Sequence, residues 1–449
     1  SKQTSKRPPC PWCRPDQTSP ETAGGGGAPL PEPSREPAAQ RRDRGGGGGA
    51  RAAAHRAGAA PAHPAGQSAP AMGTLGSAGT PALGGVLGEV QAKHGRSAQP
   101  ESRRLVAVAA AVQEVLTAQG LEPGAGPVFA AAMATLERNL EATAADDPRA
   151  AEGDAAVLGL LALVLARAPE AVVRAKLGRA LAVVAQILEM RRAHAGPAKA
   201  ALGCLAELVA AASRKEDWLP AAKPFGAMLG LALDPRPKVR KKAQGAVAAV
   251  LAGFAAAGSP NLAPASALVL RLSERVLPEP AAVVQALVGK KKAARRAAAT
   301  QEALQRATTE ALHLLGALKL WVGAPGGRLL PAGGTGAGLA GLLLDLLPLE
   351  QPLIAQHAMD VLFAAITAGG PDDDGGALDA AQAGRVLEGV LAALEGWDPR
   401  DADTVNTFLR LAEGAVLRLR RLDPDLGWRS LPRVAQAAVP LLATDSESV

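Results

Sequence analysis

The stretch Leu231-Ala-Leu-Asp234-Pro235-Arg-Pro237-Lys-Val239-Arg240-Lys-Lys-Ala243-Gln244 decides how the chain is read. It closes one apolar segment, turns at an Asp-Pro pair and opens another, and each part has a physical reason. The Asp234 carboxylate can accept backbone N–H groups left open around the turn. Pro237 has no N–H to leave unpaired, and its fixed φ suits the first turn of a helix. Beyond it Val239, Ala243, Ala246, Val247, Val250 and Phe254 recur three or four apart, which puts them on one helical face. The segment reads as two helices joined by a tight turn.

The surroundings repeat this texture. From about Glu101 the chain consists of Ala- and Leu-rich stretches separated by short Gly, Pro and Asp punctuation. Their periodicity predicts helices near 102–119, 125–143, 154–167, 170–191, 198–213, 218–233, 237–256 and 263–276. Further helices are predicted near 299–323, 339–347, 352–368, 379–396, 402–421 and 429–443. A second unit with the same grammar spans Leu163 to Val184: Ala168-Pro169 makes the turn, Val173-Arg174 follows, and Val173, Leu177, Ala180, Leu181, Val184 and Leu188 form the core face. Weaker versions start at Glu350, with Ile354, Ala358, Val361 and Leu362, and at Asp401, with Val405, Phe408, Leu409, Ala412 and Val416. A Leu-rich helix, an Asp-Pro turn, Val-Arg and an Ala-rich second helix form the pattern of a HEAT repeat. The expected fold is all-α: a degenerate HEAT-type α-solenoid, a superhelix of antiparallel helix pairs.

Residues 1–100 read differently. They hold 18 Gly and 14 Pro, including the runs Gly24–Gly27 and Gly45–Gly49, and too little periodic apolar surface to offset the entropy of ordering. The expectation is a disordered, basic arm over 1–100 and a helical array over 101–449. The arm has 12 Lys and Arg against 6 acids, so it carries most of the chain's net charge of +7. Any polyanion site on the array must therefore be a local patch.

Composition narrows the function classes. Aromatic residues are only 2%, with no Tyr, too few for the stacking platforms of RNA-recognition and OB modules. Three cysteines make neither a disulfide framework nor a four-cysteine zinc site, and suit a reducing compartment. The longest apolar run, Ala155 to Ala166, falls short of the roughly 20 residues of a membrane span. The first 30 residues lack the apolar core of a secretory signal. With no initiator Met and an end just after an apolar helix, the expectation is a piece of a longer chain.

The chemistry-bearing motifs each have a plain alternative. Cys10-Pro-Trp-Cys13 has the spacing of half a zinc site or a redox pair, but no βαβ pattern surrounds it, and it reads as two incidental thiols. Gly336-Ala-Gly338-Leu-Ala-Gly341 matches the dinucleotide fingerprint without the strand that must precede it, and reads as a loop before a helix. Asp372–Asp374 lack calcium-loop spacing, and the six histidines are scattered. No catalytic residue, cofactor site, metal site or small-molecule substrate is expected. Two basic runs remain: Lys238, Lys241 and Lys242 beside Arg236 and Arg240, and Lys290, Lys291, Lys292, Arg295 and Arg296 before the helix near 299. Both can neutralise nucleic-acid phosphates or meet a partner, whereas Arg240, flanking the apolar stripe, reads as a hydrogen-bonding turn residue.

Taken in order, several segments resemble the ribosomal RNA-processing protein 12 family. They are Val128–Glu137, Leu160–Gln186, Arg236–Gln244, Thr308–Lys319, Gln356–Leu362 and Leu422–Arg433, within a similarity running over about residues 96–449. The Gly-rich stretch near 324–340 and the high alanine content depart from the family's pattern. The resemblance implies a non-catalytic HEAT scaffold in ribosome biogenesis. It would bind pre-ribosomal RNA and small-subunit assembly factors for rRNA processing, assembly and nuclear export, in the nucleolus and nucleus with shuttling to the cytoplasm. It also implies links to the Ran GTPase and transport receptors. The competing expectation is a karyopherin-like transport receptor or a general HEAT-repeat interaction scaffold.

Overall fold

The computed structural model describes residues 85–142, 147–282, 294–323, 334–347, 351–368, 378–395 and 402–444. These residues are helical throughout their regular structure, with no strand among them. The first helices are α1 (Val86–His94), α2 (Pro100–Ala118), α3 (Ala125–Ala142), α4 (Pro148–Leu165), α5 (Glu170–Met190) and α6 (Ala195–Ala211). A short 3-10 turn, Lys215–Asp217, leads into α7 (Trp218–Leu231), α8 (Pro237–Ala256) and α9 (Leu262–Val276). Then come α10 (Ala294–Val322), α11 (Gly334–Leu344), α12 (Pro352–Thr367), α13 (Ala380–Glu395), α14 (Ala402–Leu422) and α15 (Pro424–Thr444).

The helices stack in two layers. Each even-numbered helix from α2 to α14 packs on the next even one, and each odd-numbered helix from α3 to α15 on the next odd one. Sequence neighbours such as α3 and α4, α5 and α6, or α13 and α14 join the layers. This is the α-solenoid expected from the helix-pair grammar, in which a unit buries its apolar face only against its neighbours. The core face read on α8 is buried in full, with Val239, Ala243, Val247 and Val250 at 0% exposure. The α5 face from Val173 to Leu188 is buried likewise. Each such Val or Leu contributes about 1.5–3 kcal/mol on burial.

Recurrent punctuation sets the helix starts. Pro occupies the first turn of α2, α4, α8 and α12. Asp147 Oδ1 accepts from Arg149 N at 2.9 Å, and Asp423 Oδ1 from Leu426 N at 3.0 Å. These caps start α4 and α15 five or six residues before the expected positions. At α13, Asp379 and Gln382 cap each other reciprocally, at 2.7 and 2.9 Å.

Helical order also begins before the expected boundary near residue 100. Val86, Leu87 and Val90 of α1 are buried against the array, a short apolar face inside a Gly- and Pro-rich context. The G-x-G-x-x-G motif lies inside α11 rather than in a loop. There a Cβ on Gly338 would come within 3.0 Å of Leu270 Cδ2, so the glycine lets α11 approach α9.

Small residues also let the α4, α6 and α8 row close up more than the α3, α5 and α7 row. A Cβ on Gly196 would lie 3.8 Å from Ala155 Cβ, and one on Gly203 3.9 Å from Ala162 Cβ. One on Gly253 would lie 3.9 Å from Ala210 Cβ. The offset along the sequence stays nearly constant from contact to contact, so these three helices run parallel.

Candidate functional site

The α7–α8 turn is built from its own arginines. Asp234 Oδ1 accepts from Arg236 N and from Arg236 Nε, both at 2.9 Å, while Arg236 Nη2 donates to Oδ2 at 2.9 Å. Arg236 Nη1 reaches across to Ala193 O at 2.9 Å and ties this turn to the α5–α6 turn. Arg240 Nη1 donates to Asp234 O at 2.9 Å. Its reading as a turn residue therefore holds. The hydrogen bonds from Arg236 hold the Asp234 carboxyl below the usual carboxylate range.

With both arginines committed to the turn, the basic face of α8 consists of Lys238, Lys241 and Lys242. All three are exposed, and none forms an ion pair among the described residues. Lys242 crosses toward α6, where a Cβ on Gly203 would lie 3.8 Å from its Nζ. Lys199 is the fifth residue of α6, as Lys241 is of α8, so the basic surface extends one helix further. Aligning the two helices on their starts reveals Lys199, which stands alone in the sequence and was not among the expected candidates.

Of the second basic run, only the backbone of Arg295 and Arg296 is described. Gln244 Nε2 donates to His313 O at 3.3 Å and Trp321 Nε1 donates to Gln244 O at 3.0 Å, which fixes α8 against the second half of α10. The first turns of α10 then project past the start of α8 by roughly 20 Å at 1.5 Å per residue. Arg295 and Arg296 lie on the backbone of that projecting part. Lys290, Lys291 and Lys292 lie outside the described residues, as do Cys10, Cys13 and Asp372–Asp374.

Beside Lys199, the even layer has an open groove of about 670 Å³ between α2, α4 and α6. Its floor is Ala151, Ala155 and Gly159, and its rim carries His94, His194, Lys199 and the ion pair Arg104–Glu152. The groove exists because the facing surfaces of α4 and α6 carry small residues there, Ala155 and Gly159 on one and Gly196 and Ala200 on the other. Among the described residues, no group of three or more His, Cys, Asp or Glu could hold a metal ion. No helix among them is long and apolar enough to cross a membrane.

Two buried polar groups were not legible in sequence. Arg191 Nε donates to Asp154 Oδ2 at 2.9 Å with both side chains fully buried, and Asn139 Nδ2 donates to Asp154 Oδ1 at 2.8 Å. Asn261 Nδ2 donates to Ala212 O and Arg214 O, at 2.6 and 2.7 Å, bracing the segment after α6. Both are struts. His313 is also structural: burial, and then the Arg240 charge, hold its pKa below the usual histidine value.

The family comparison agrees with the helix-pair architecture. The sequence profile described as "RRP12-like, N-terminal HEAT repeats" matches residues 79–370. An RRP12-like protein of Gallus gallus is 36% identical over 159 residues, which cover 34% of this chain and 11% of that protein. An RRP12-like protein of Homo sapiens is 27% identical over 361 residues, 77% of this chain and 24% of that protein. The chain thus spans at most about a quarter of the length of these curated relatives. Among solved structures, an engineered protein from a structural genomics consortium covers 63% of this chain and 97% of its own, at 14% identity and a TM-score of 0.28. The profile match extends over more than half of the chain and over the helix pairs α1 to α12: the chain belongs to the RRP12-like HEAT-repeat family.

Proposed function

We propose that the chain is a non-catalytic HEAT-repeat scaffold of ribosome biogenesis. In this reading it holds pre-ribosomal RNA and small-subunit assembly proteins during rRNA processing, assembly and export from the nucleolus and nucleus. Family membership supports the biological setting. The observation that carries RNA binding is the α8 face. Lys238, Lys241 and Lys242 are exposed and without acidic partners among the described residues, next to two arginines that the turn already holds. Such a face suits phosphates, which position RNA without reading its sequence. Arg295 and Arg296, with Lys290, Lys291 and Lys292, form the second proposed contact. The basic sequence before α1 adds a sequence-independent attraction. Ran and transport receptors are the partners proposed for the export step.

The test is RNA affinity over a range of salt. Changing Lys238, Lys241 and Lys242 together to Ala should weaken binding to a pre-rRNA fragment and lower the log–log salt slope by roughly 2–3. An unchanged slope removes α8 from the interface. Recovery of Ran and diverse cargo without pre-rRNA from nuclear extract would favour the transport-receptor reading instead.

A further inference from the structure

Three large apolar side chains stand in a row on the solvent side of the even layer: Leu320 on α10, Phe363 on α12 and Leu417 on α14. They are 43–48% exposed, each beside fully buried neighbours on its helix: Trp321, Leu362 and Leu419 are at 1%. The register of the row is fixed by contacts between the helices. Lys319 Nζ meets Asp360 Oδ2 at 2.8 Å, and a Cβ on Gly323 would lie 3.9 Å from Ala364 Cβ, so α10 and α12 run parallel with Leu320 and Phe363 nearly level. A Cβ on Gly414 would lie 3.1 Å from Ile366 Cγ2, which sets Leu417 about two turns farther along than Phe363. With roughly 8–10 Å between neighbouring axes, the row spans roughly 20–25 Å.

The surroundings are lopsided in charge. Lys319 is neutralised by Asp360. On α14, Arg410, Arg420 and Arg421 surround Leu417 against one acid, Glu413, and Arg420 also covers Trp428 at 4.4 Å. An apolar row with a basic border dehydrates well against apolar side chains and favours acids at the rim.

We propose that this row is the docking face for an acidic amphipathic helix of a protein partner. Spacing of roughly 10–13 Å between successive anchors corresponds to about seven to nine residues of helix at 1.5 Å each. The occupant therefore lies across α10, α12 and α14 with apolar residues near i, i+7 and i+14, and its carboxylates face Arg410 and Arg421. The face uses none of the α8 lysines, so the inference does not depend on RNA binding.

The test is fluorescence anisotropy of a labelled 21-residue peptide on the whole chain. The peptide carries Leu at i, i+7 and i+14, with Glu on both flanks. Two controls accompany it: a permuted peptide of the same composition, and one with Lys in place of Glu. The expected result is saturable binding of the acidic striped peptide, at least tenfold tighter than either control. Phe363→Ser, at a partly exposed position, should weaken it at least tenfold while the protein stays folded, with a melting temperature lowered only modestly. Should that variant fold poorly, Leu320→Lys serves instead. Arg410→Glu with Arg421→Glu should weaken binding most at low salt. Equal binding of the permuted peptide, or unchanged affinity of folded Phe363→Ser, overturns the proposal. A self-association in sedimentation equilibrium that Phe363→Ser abolishes overturns it in favour of a second copy. Loss of RNA affinity in the same variant overturns it in favour of nucleic acid.

Discussion

Removing the arginine of the buried Asp154–Arg191 pair should open the α3–α5 region long before the rest of the array. Arg191→Ala leaves the Asp154 carboxylate fully buried, with Asn139 Nδ2 at 2.8 Å on one oxygen and the 2.9 Å contact on the other gone. Breaking a buried pair from one side costs about 3–5 kcal/mol, because the surviving charge cannot reach water. At about 1.4 kcal/mol per factor of ten, local opening becomes roughly 10² to 10³ times more frequent. Amide hydrogen exchange read by mass spectrometry resolves this. Peptides from α4 and α5 should lose protection by that factor while α12–α14 keep theirs, since each unit leans only on its neighbours. The companion variant Asp154→Leu with Arg191→Met fills the site with apolar atoms and should recover protection to within about 1 kcal/mol, the residue being the lost acceptor of Asn139. If Arg191→Ala changed exchange less than about fivefold, or the double variant were as open as the single one, the pair would not be the strut described.

Further predictions concern other positions. Gly427→Ala should destabilise the α14–α15 junction by about 1–3 kcal/mol, because its Cβ would lie 2.7 Å from the Arg420 backbone. Gly226→Ala on exposed α7, where a Cβ meets nothing within 4 Å, should stabilise by about 0.5–1 kcal/mol, and urea titration compares the two signs. Cys204, buried with its Sγ donating to Leu158 O at 3.0 Å, has its thiol pushed up by burial and then by the Glu207 charge. With Cys10 and Cys13 changed to Ser, native protein should take up no thiol reagent at pH 8 and urea-unfolded protein one equivalent. Asp234, held low by Arg236, contributes stability that is full above about pH 3.9 and is lost as pH falls through its lower folded-state value. Asp234→Asn should flatten the fall of the urea midpoint below that pH.

The fold was legible where local chemistry and periodicity agreed. The turn at Asp234, the Pro237 start and the apolar face from Val239 to Phe254 all stand as the residues require. Helix starts at Pro148 and Pro424 were placed late because the Asp-Pro pair before each belongs to the helix as its cap rather than to the loop. Helix α1 was hidden by composition, since three buried residues in nine are outweighed by the glycines and prolines around them. The candidate interface was half legible. The lysines on α8 were visible as a run, whereas Lys199 joins them only once α6 and α8 lie side by side. Nothing local marks Asp154 and Arg191 as buried, because burial of either charge depends on a partner 37 residues away. The Leu320–Phe363–Leu417 row escaped for the same reason: one exposed apolar residue per helix is unremarkable until three helices are adjacent.

The small-sided seam along α4, α6 and α8 separates two properties that usually go together, exposure and freedom to vary. Gly159, Ala162, Gly196 and Gly203 are only partly covered, yet each faces a neighbouring helix at a distance that admits a methyl group and little more. Among relatives, drift at these positions should be confined to Gly, Ala and Ser. Lys238 and Lys241, exposed on the neighbouring face of α8, are restrained little by packing, so selection on them would act through what they bind. Invariance in the seam therefore records the spacing of the helices, and only invariance among the lysines records a ligand.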